Sequence, residues 1–385
     1  MRRTYLDNAA TTPTDPRVFE AMQPYFCDKF GNSSGSHSYG IEADDAVVRA
    51  RKSVASLLGA RPKEVIFTSG GTESNNTAVI GVTNANNERG GHIITSNAEH
   101  ESVLKPCAFL EQEGFSVSYV PVDGYGLVDP AEVAGAIRKQ TILISIMHAN
   151  NEVGSTQPIA EIGKIAQKHK IVFHTDAVQT FGHVGVNVKK LRVDLLSVSG
   201  HKLYGPKGVG ALYIRKGTRI APFMHGGDHE GGRRASTLNV PGIVGLGAAT
   251  ELAKKEANRE ETRTLSLQRR LITGITERIG DAKLNGHPMH RLPGNVSFAF
   301  PRTNGELMLK YLDKQGVACS TGSSCHKPDA GPSHVLEAIG LPDDHLEGTL
   351  RFSLGRYTTT EDIDYLLDVL PGVVRRARSV SDFLD

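Results

Sequence analysis

The chain has few cysteines, little net charge and no long apolar run. Four cysteines among 385 residues are too few for a disulfide framework, so we expect a reducing, cytoplasmic setting where cysteine matters for its reactivity. The 44 basic and 42 acidic residues leave a net charge of +2, which favours neither nucleic acid nor an anionic membrane as the main partner. No apolar run approaches the roughly 20 residues that cross a bilayer. Residues 1–7 lack the apolar stretch of a secretory signal, and none is expected.

Short apolar runs alternate with helix-like segments through the first two thirds of the chain. The predicted strands are residues 65–68, 92–95, 141–147, 171–174, 194–197 and 211–214, and the predicted helices between them are 73–81, 130–139 and 160–169. This alternation predicts an α/β fold with a mostly parallel sheet that is covered by helices on both faces.

The pattern changes near residue 250, which indicates a second domain. Residues 248–279 predict one long charged helix that bridges to it, followed by a strand at 295–300 and helices at 305–315 and 360–378. We expect a large domain over residues 15–255 and a smaller α+β domain made of residues 1–14 together with 256–385.

Polar, small or titratable residues follow five of the predicted strands. These groups are residues 69–72, 97–100, 149–151, 175–179 and 199–202. Ligands of open parallel sheets bind beyond the carboxyl ends of the strands, so the five groups predict one site at one rim. Each group alone has an ordinary alternative, such as a tight turn, a helix cap or a core histidine.

Lys202 stands among small, hydroxyl and glycine residues, in a stretch that begins at Ser197 directly after the mostly apolar run 193–196. This setting favours an amine at the end of a buried strand, able to form a Schiff base with an aldehyde cofactor. A surface lysine in a loop is the alternative. The glycines at 70 and 71 suit a phosphate at a helix start, and Asp176 suits a cationic partner such as a pyridine nitrogen.

Six segments together resemble the NifS/IscS-like cysteine desulfurases, a branch of the class V aminotransferase family. The segments are residues 5–13, 67–76, 99–102, 150–154, 174–179 and 199–208. They follow one another in the family's order, nearly from end to end of the chain. The resemblance implies the type I fold of pyridoxal 5′-phosphate (PLP) enzymes, with residues 15–255 as the PLP-binding domain.

The resemblance implies roles for four residues around the cofactor ring. Lys202 would carry the cofactor, and Asp176 would pair with the ring nitrogen. His100 would lie over the ring and take part in catalysis, and Gln179 would contact the ring hydroxyl.

The resemblance also implies a phosphate site. Thr72, Ser199 and His201 would hold the phosphate with the backbone of Gly71. Thr237 of a neighbouring subunit would reach the same group, which implies a homodimer.

For the substrate, L-cysteine, the resemblance assigns Arg351 to the carboxylate, since a guanidinium and a carboxylate pair through two hydrogen bonds. Asn151 and Asn32 would orient the substrate. Arg356, five residues further on, is expected to be a structural neighbour.

The loop at residues 320–325 resembles the family loop whose cysteine attacks the substrate sulfur, which makes Cys325 the sulfur carrier. Cys319 is expected to be a packing residue, and the spacing of the two thiols does not suit a zinc site. After Cys325 the chain departs from the family's usual small residues. His326 and Lys327 stand there, and this Cys-His pair is similar to selenocysteine lyases.

The sequence therefore predicts a PLP-dependent enzyme that converts L-cysteine to L-alanine and passes sulfur from a Cys325 persulfide to an acceptor protein. Iron–sulfur cluster assembly and other thiolation pathways both use such an acceptor. A selenocysteine lyase or C–S lyase of the same fold is the nearest alternative. A non-catalytic PLP-binding regulator, a sulfur-relay adaptor and an aminotransferase are more distant ones. No metal is expected.

Overall fold

The computed structural model describes residues 3–86, 90–321 and 332–381. Its strands are β1 Thr4–Tyr5, β2 Val65–Thr68, β3 His92–Ser96, β4 Ser116–Val120, β5 Thr141–Ser145, β6 Val172–Asp176, β7 Leu195–Ser199, β8 Gly210–Ile214, β9 Lys283–Leu284, β10 Asn295–Ala299, β11 Val317–Ala318 and β12 Thr349–Ser353. Its helices are α1 Pro16–Met22, α2 Pro24–Cys27, α3 Ser38–Leu58, α4 Gly71–Ala85, α5 Glu101–Gln112, α6 Pro130–Gly135, α7 Ile159–His169, α8 Val188–Leu191, α9 His229–Gly232, α10 Val240–Arg278, α11 Gly305–Lys314, α12 His334–Ala338, α13 Asp343–Leu346 and α14 Thr360–Ser381.

Seven strands form the main sheet, in the order β2-β8-β7-β6-β5-β3-β4. The pairs from β7 through β4 are parallel, whereas β8 runs antiparallel to both of its neighbours. The expected α/β class with a mostly parallel sheet is confirmed. The sequence did not predict β4, whose residues are mostly half-buried at the edge of the sheet.

Helices cover both faces of this sheet because its strands are apolar on both sides. Alternate residues of β2 show this: Val65 and Phe67 pack into one hydrophobic cluster with α3 and α10, whereas Ile66 packs into another with α4 and α5. The long helix α3 was missed by the sequence prediction. It ends at Gly59, whose φ of 68° is the left-handed conformation that favours glycine at a helix end.

A smaller unit follows the main sheet. Helix α10 is 39 residues long and leads into it, and a three-stranded antiparallel sheet has the order β12-β10-β9. Its hydrophobic cluster is separate from those of the main sheet, and it includes Leu6 from the chain's start. Domain boundaries at residues 15 and 255 remain a prediction, and we propose them on the strength of that separate cluster.

The N-terminal segment joins the two units. Strand β1 pairs with β11 of the smaller unit, and the backbone then passes along the main sheet, where Thr12 N–H donates to the His201 carbonyl at 3.0 Å. Residues 7–15 therefore lie between β12 and the turn that follows β7. Within the described ranges, no helix combines the length and the apolarity that are needed to cross a membrane.

Candidate active site

One cavity at the carboxyl ends of the parallel strands has a volume of about 240 Å³. Nine of the residues that the sequence predicted for the site line it: Gly71, Thr72, His100, Asn151, Asp176, Gln179, Ser199, His201 and Lys202. They come from the segments that follow β2, β3, β5, β6 and β7. The topology of the sheet thus brings five distant parts of the chain to one rim.

Lys202 ends the short 3₁₀ turn Gly200–Lys202 that follows β7. Its Nζ donates to the carbonyl oxygens of Ala9 and Ala10, each at 2.6 Å. Burial, together with the positive charge of Arg351, lowers the pKa of Lys202 to about 8. Lys202 is therefore an amine that exchanges its proton close to neutral pH.

A chain of hydrogen bonds runs from Asp176 to His100. Asn75 Nδ2 donates to Asp176 Oδ2 at 2.7 Å and to Ser102 Oγ at 2.8 Å. The other carboxylate oxygen, Oδ1, accepts from Val178 N–H at 2.8 Å. Asp176 is therefore a buried carboxylate whose orientation is fixed at both oxygens.

The ring of His100 is oriented by the helix that it caps. The backbone N–H of Ser102 donates to His100 Nδ1 at 3.1 Å, so Nδ1 is the nitrogen without a proton in the neutral ring. Ser102 Oγ lies 2.8 Å from the same nitrogen. The proton of neutral His100 therefore sits on Nε2.

The first turn of α4 has the features of an anion site. The N-cap residue, Gly70, makes no side-chain cap, so the first N–H groups of this 15-residue helix are available to an external acceptor. A Cβ added at Gly71 would lie 2.7 Å from Val178 Cγ2 and 3.5 Å from Ser199 Cβ. Glycine at this position therefore keeps the approach to the helix end open.

His201 lies beside this helix start and contacts the N-terminal segment. Its Nδ1 lies 3.0 Å from Thr11 Oγ1. Burial, together with the charges of Lys202 and Lys207, lowers the pKa of His201 to about 4. The ring is therefore neutral near pH 7 in the chain by itself.

Arg351 lies on β12, outside the set of described residues that line the cavity. Its side chain is fully buried, and its Nη2 lies 2.8 Å from Asp7 Oδ1. Its Nη1 donates to the carbonyl of Asn151 at 3.1 Å. Because Asn151 lines the cavity, this arginine lies next to it.

Two other predicted site residues, Asn32 and Thr237, lie on the surface of the chain. Neither lines the cavity in the described part of a single chain. Asn32 instead accepts from Ser34 N–H at its own loop. Cys325 lies outside the described residues.

Sequence reasoning missed four residues that contact the site. Asn75 holds Asp176, Asp7 pairs with Arg351, and Ala9 and Ala10 accept from Lys202. The last three belong to residues 5–13, a segment that carried the family resemblance but received no role. The family resemblance of residues 5–13 was therefore the one signal that could have assigned these three residues to the site, since the segment is distant in sequence from the residues that follow the strands.

Comparisons with known proteins agree with this geometry. The family model described as Aminotransferase class-V matches residues 4–366. "Cysteine desulfurase IscS" of Dictyoglomus turgidum is 53% identical over 382 residues, covering 99% of this chain and 97% of that protein. Human "Cysteine desulfurase" is 46% identical over 384 residues, covering 99% and 84%.

Solved structures give the same result. A "NIFS-LIKE PROTEIN" superposes with a TM-score of 0.92 at 39% identity, covering 97% of this chain and 100% of that chain. "SspA in complex with cysteine" has a TM-score of 0.83 at 39% identity, covering 92% and 100%. The chain belongs to the class V aminotransferase family, in its NifS/IscS-like cysteine desulfurase branch. The cofactor of this family is PLP, as the sequence predicted.

The residues of the cavity fit that cofactor. The cradle at Gly71 and the uncapped start of α4 suit a phosphate. The buried carboxylate of Asp176 suits a protonated pyridine nitrogen, and Lys202 supplies the amine that an aldehyde needs. Among the described residues, no group of three or more His, Cys, Asp or Glu side chains is placed to hold a metal ion.

Proposed function

We propose that the protein converts L-cysteine to L-alanine and takes the sulfur as a persulfide on Cys325. The observation that carries this proposal is that the Lys202 amine and the buried Asp176 carboxylate line the same cavity. Full-length similarity to proteins named cysteine desulfurase, and a structural neighbour titled as a complex with cysteine, support the substrate.

The cavity residues have separate tasks in holding PLP. Gly71 and Thr72 at the start of α4, with Ser199 and His201, would bind the phosphate. Asp176 would bind the ring nitrogen. His100 would cover one face of the ring, and Gln179 would contact its hydroxyl. When bound, PLP supplies an electron sink for the charge that develops at the substrate Cα.

Lys202 moves the substrate proton in this proposal. Because its pKa is about 8, a usable fraction of Nζ is neutral near that pH and accepts the Cα proton. The carbonyls of Ala9 and Ala10 then hold the resulting ammonium, since a carbonyl oxygen accepts and cannot donate. Arg351 and Asn151 fix the substrate carboxylate so that Cα faces this amine.

The sulfur step balances without an external oxidant. The bond between Cβ and sulfur of the substrate breaks, and a sulfur–sulfur bond to Cys325 forms. Cys325 gives up its thiol proton, the transferred sulfur remains as the terminal S–H of the persulfide, and one proton is taken up at Cβ of the alanine product. Sulfur is oxidised to the persulfide level while Cβ is reduced to a methyl group.

Substitution of the sulfur carrier tests this function. Cys325→Ser should still bind PLP and L-cysteine but should make no protein persulfide, measured by alkylation and mass spectrometry of the intact chain. Cys319→Ala is the matched control, because burial raises the pKa of the Cys319 thiol well above its usual range and keeps it protonated. Persulfide formation in Cys325→Ser would overturn the proposal. Alanine release from selenocysteine exceeding that from cysteine would favour the lyase alternative.

A homodimer that shares its sites is part of the proposal. Thr237 is exposed and does not line its own cavity, and the large apolar side chains of Phe223 and Met224, earlier in the same part of the chain, are 40% and 37% exposed. A second copy would cover this segment and bring Thr237 to a neighbouring phosphate site. Asn32 is also exposed, and it would contact the substrate in the neighbouring subunit's site.

Subunit mixing tests the shared site. Lys202→Ala and Thr237→Ala chains should each be impaired alone, whereas a mixed dimer holds one site with neither change. Activity should reappear on mixing if Thr237 acts across the interface. No recovery, with mixed dimers verified by differently tagged chains, would contradict it.

The final acceptor is proposed to be a cytoplasmic protein of iron–sulfur cluster assembly or of another thiolation pathway. The similarity to proteins named IscS supports a sulfur-delivering role. Transfer of ³⁵S from the labelled persulfide to partners in a native extract identifies the acceptor. A label that is released only as free sulfide would contradict protein-to-protein transfer.

A further inference from the structure

The guanidinium proposed to bind the substrate carboxylate already has a carboxylate partner. Arg351 has no exposed side-chain surface, and its Nη2 lies 2.8 Å from Asp7 Oδ1. A buried guanidinium is costly without a counter-ion, so this contact stabilises its charge before any substrate arrives. The two residues are 344 positions apart in sequence.

The backbone on both sides fixes this pair in place. Asp7 forms an isolated bridge with Ser353, two residues beyond Arg351 on the same strand. The carbonyl of Asp7 accepts from Ala10 N–H at 3.1 Å and from Tyr5 Oη at 3.1 Å. Arg351 N–H donates to the Ser320 carbonyl at 2.6 Å. These backbone contacts therefore hold Asp7 at a fixed distance from the Arg351 guanidinium.

We propose that Asp7 is the resident counter-ion of the carboxylate-binding arginine: it aligns Arg351 for a substrate carboxylate, and its negative charge limits how tightly that second carboxylate binds. The inference rests on the proposed function for the role of Arg351. It assigns Asp7 as a positioning residue that also tunes substrate affinity.

Two substitutions of Asp7 separate its effect on the alignment of Arg351 from the effect of its negative charge. Asparagine at position 7 keeps an acceptor oxygen of the same shape for Arg351 Nη2 but removes the negative charge. Alanine removes both. Asn should therefore tighten carboxylate binding, because the guanidinium no longer shares its charge between two anions, and Ala should weaken it, because the guanidinium is no longer held.

The probe is 3-mercaptopropionate, which has the thiol and carboxylate of cysteine but no amine. Its dissociation constant on the PLP-loaded enzyme, measured by calorimetry, reports the carboxylate site without turnover. We expect Asp7→Asn to lower this constant about fivefold and Asp7→Ala to raise it about fivefold. 2-Mercaptoethanol, which lacks the carboxylate, should bind all variants alike.

Two further variants serve as controls. Asp364→Asn removes the carboxylate of an exposed ion pair with Arg270, 2.6 Å across, and should leave the constant unchanged. Asp7→Ser is a second neutral variant for the case in which Asp7→Asn does not fold, and Asp7→Glu retains the charge and should not tighten binding.

The outcomes distinguish this inference from the proposed function. If 3-mercaptopropionate binds Arg351→Lys as well as the wild type, Arg351 is not the carboxylate site, and the substrate assignment fails first. If binding depends on Arg351 but Asp7→Asn is unchanged or weaker, the inference about the charge of Asp7 is overturned. Equal binding by Asp7→Asn and Asp7→Ala would overturn the alignment role.

Discussion

The two sides of the proposed site are built in different ways. The proposed cofactor side consists of residues that each follow a strand of the main sheet, such as Asp176 at the end of β6 and Lys202 after β7. The proposed substrate side joins Asn151 after β5 to two residues beside the cavity, Asp7 of the N-terminal segment and Arg351 on β12 of the second sheet.

This difference shows what determines each side. Sheet topology alone brings the cofactor residues together, since parallel strands end at one rim. The substrate residues meet only when the smaller unit and the N-terminal segment pack against the large one. The substrate side should therefore respond to changes at the contact between the two units, whereas the cofactor side should respond to changes inside the main sheet.

Replacement of Arg351 has the largest expected effect on the substrate side. Arg351→Lys loses the two-pronged geometry of the guanidinium and its contacts with Asp7 and Asn151. We expect KM for L-cysteine to rise about 50-fold, with a smaller change in kcat. Initial rates of alanine release measure both constants. An unchanged KM would place the carboxylate site elsewhere.

Replacement of Asn75 tests the cofactor side. Asn75→Ala removes the side-chain donor to Asp176 Oδ2 and breaks the chain to His100. We expect PLP to bind about tenfold more weakly, measured by equilibrium dialysis. Asn86→Ala is the control, because Asn86 lies at the other end of α4 and contacts only a backbone carbonyl among its described hydrogen bonds. Equal losses in both variants would indicate damage to the helix instead.

The pH dependence tests Lys202 in its proposed role as a base. Its pKa of about 8 lies below the ordinary value for lysine, and the amine is the active form when it is neutral. Alanine release should therefore rise as the pH increases towards about 8 and level off above it. His201, with a pKa of about 4, should contribute no step in this range. A rate that falls as the pH rises to 8 would contradict the role.

The smallest expected effect concerns the link between the two sides. Tyr204, two residues after Lys202, accepts a hydrogen bond from Arg356 N–H at 2.5 Å, and the Arg356 guanidinium lies 4.4 Å from its ring centre. Tyr204→Phe leaves that N–H without its acceptor and should lower the free energy of unfolding by about 1 kcal/mol. Denaturant titration measures it.

Tyr357→Phe is the comparison for this link, since Tyr357 is exposed and its Oη lies 3.2 Å from Asp15 Oδ2. The loss in free energy of unfolding should be well below that of Tyr204→Phe. Equal losses would mean that the buried hydrogen bond between Arg356 and Tyr204 adds no more stability than the contact of the exposed Tyr357.

The same contrast explains what sequence reasoning could predict. Apolar runs such as 141–147 and 194–197 predicted the strands β5 and β7 and hence the rim, because the residues of these strands are buried on both faces. The edge strand β4 and helix α3 gave weaker patterns, since half-buried and mixed residues carry no strong periodicity. Helix α10 was predicted, but its start at Val240 was placed eight residues too late.

The substrate side could not be predicted from periodicity at all. Nothing local to Asp7 signals a partner on β12, because the pair depends on how β1, β11 and β12 come together. Arg351 was found only through the family resemblance. The same resemblance included residues 5–13 without saying what they contact, and the geometry supplies that: Ala9 and Ala10 hold Lys202, and Asp7 holds Arg351.

Borohydride reduction of the PLP-loaded protein, followed by peptide mass mapping, tests the central claim most directly. Reduction fixes the cofactor to the amine that carries it. We expect the added mass on Lys202 and none in Lys202→Ala, whereas Lys207→Ala should be labelled like the wild type. Label on another lysine, or equal labelling of Lys202→Ala, would contradict the account.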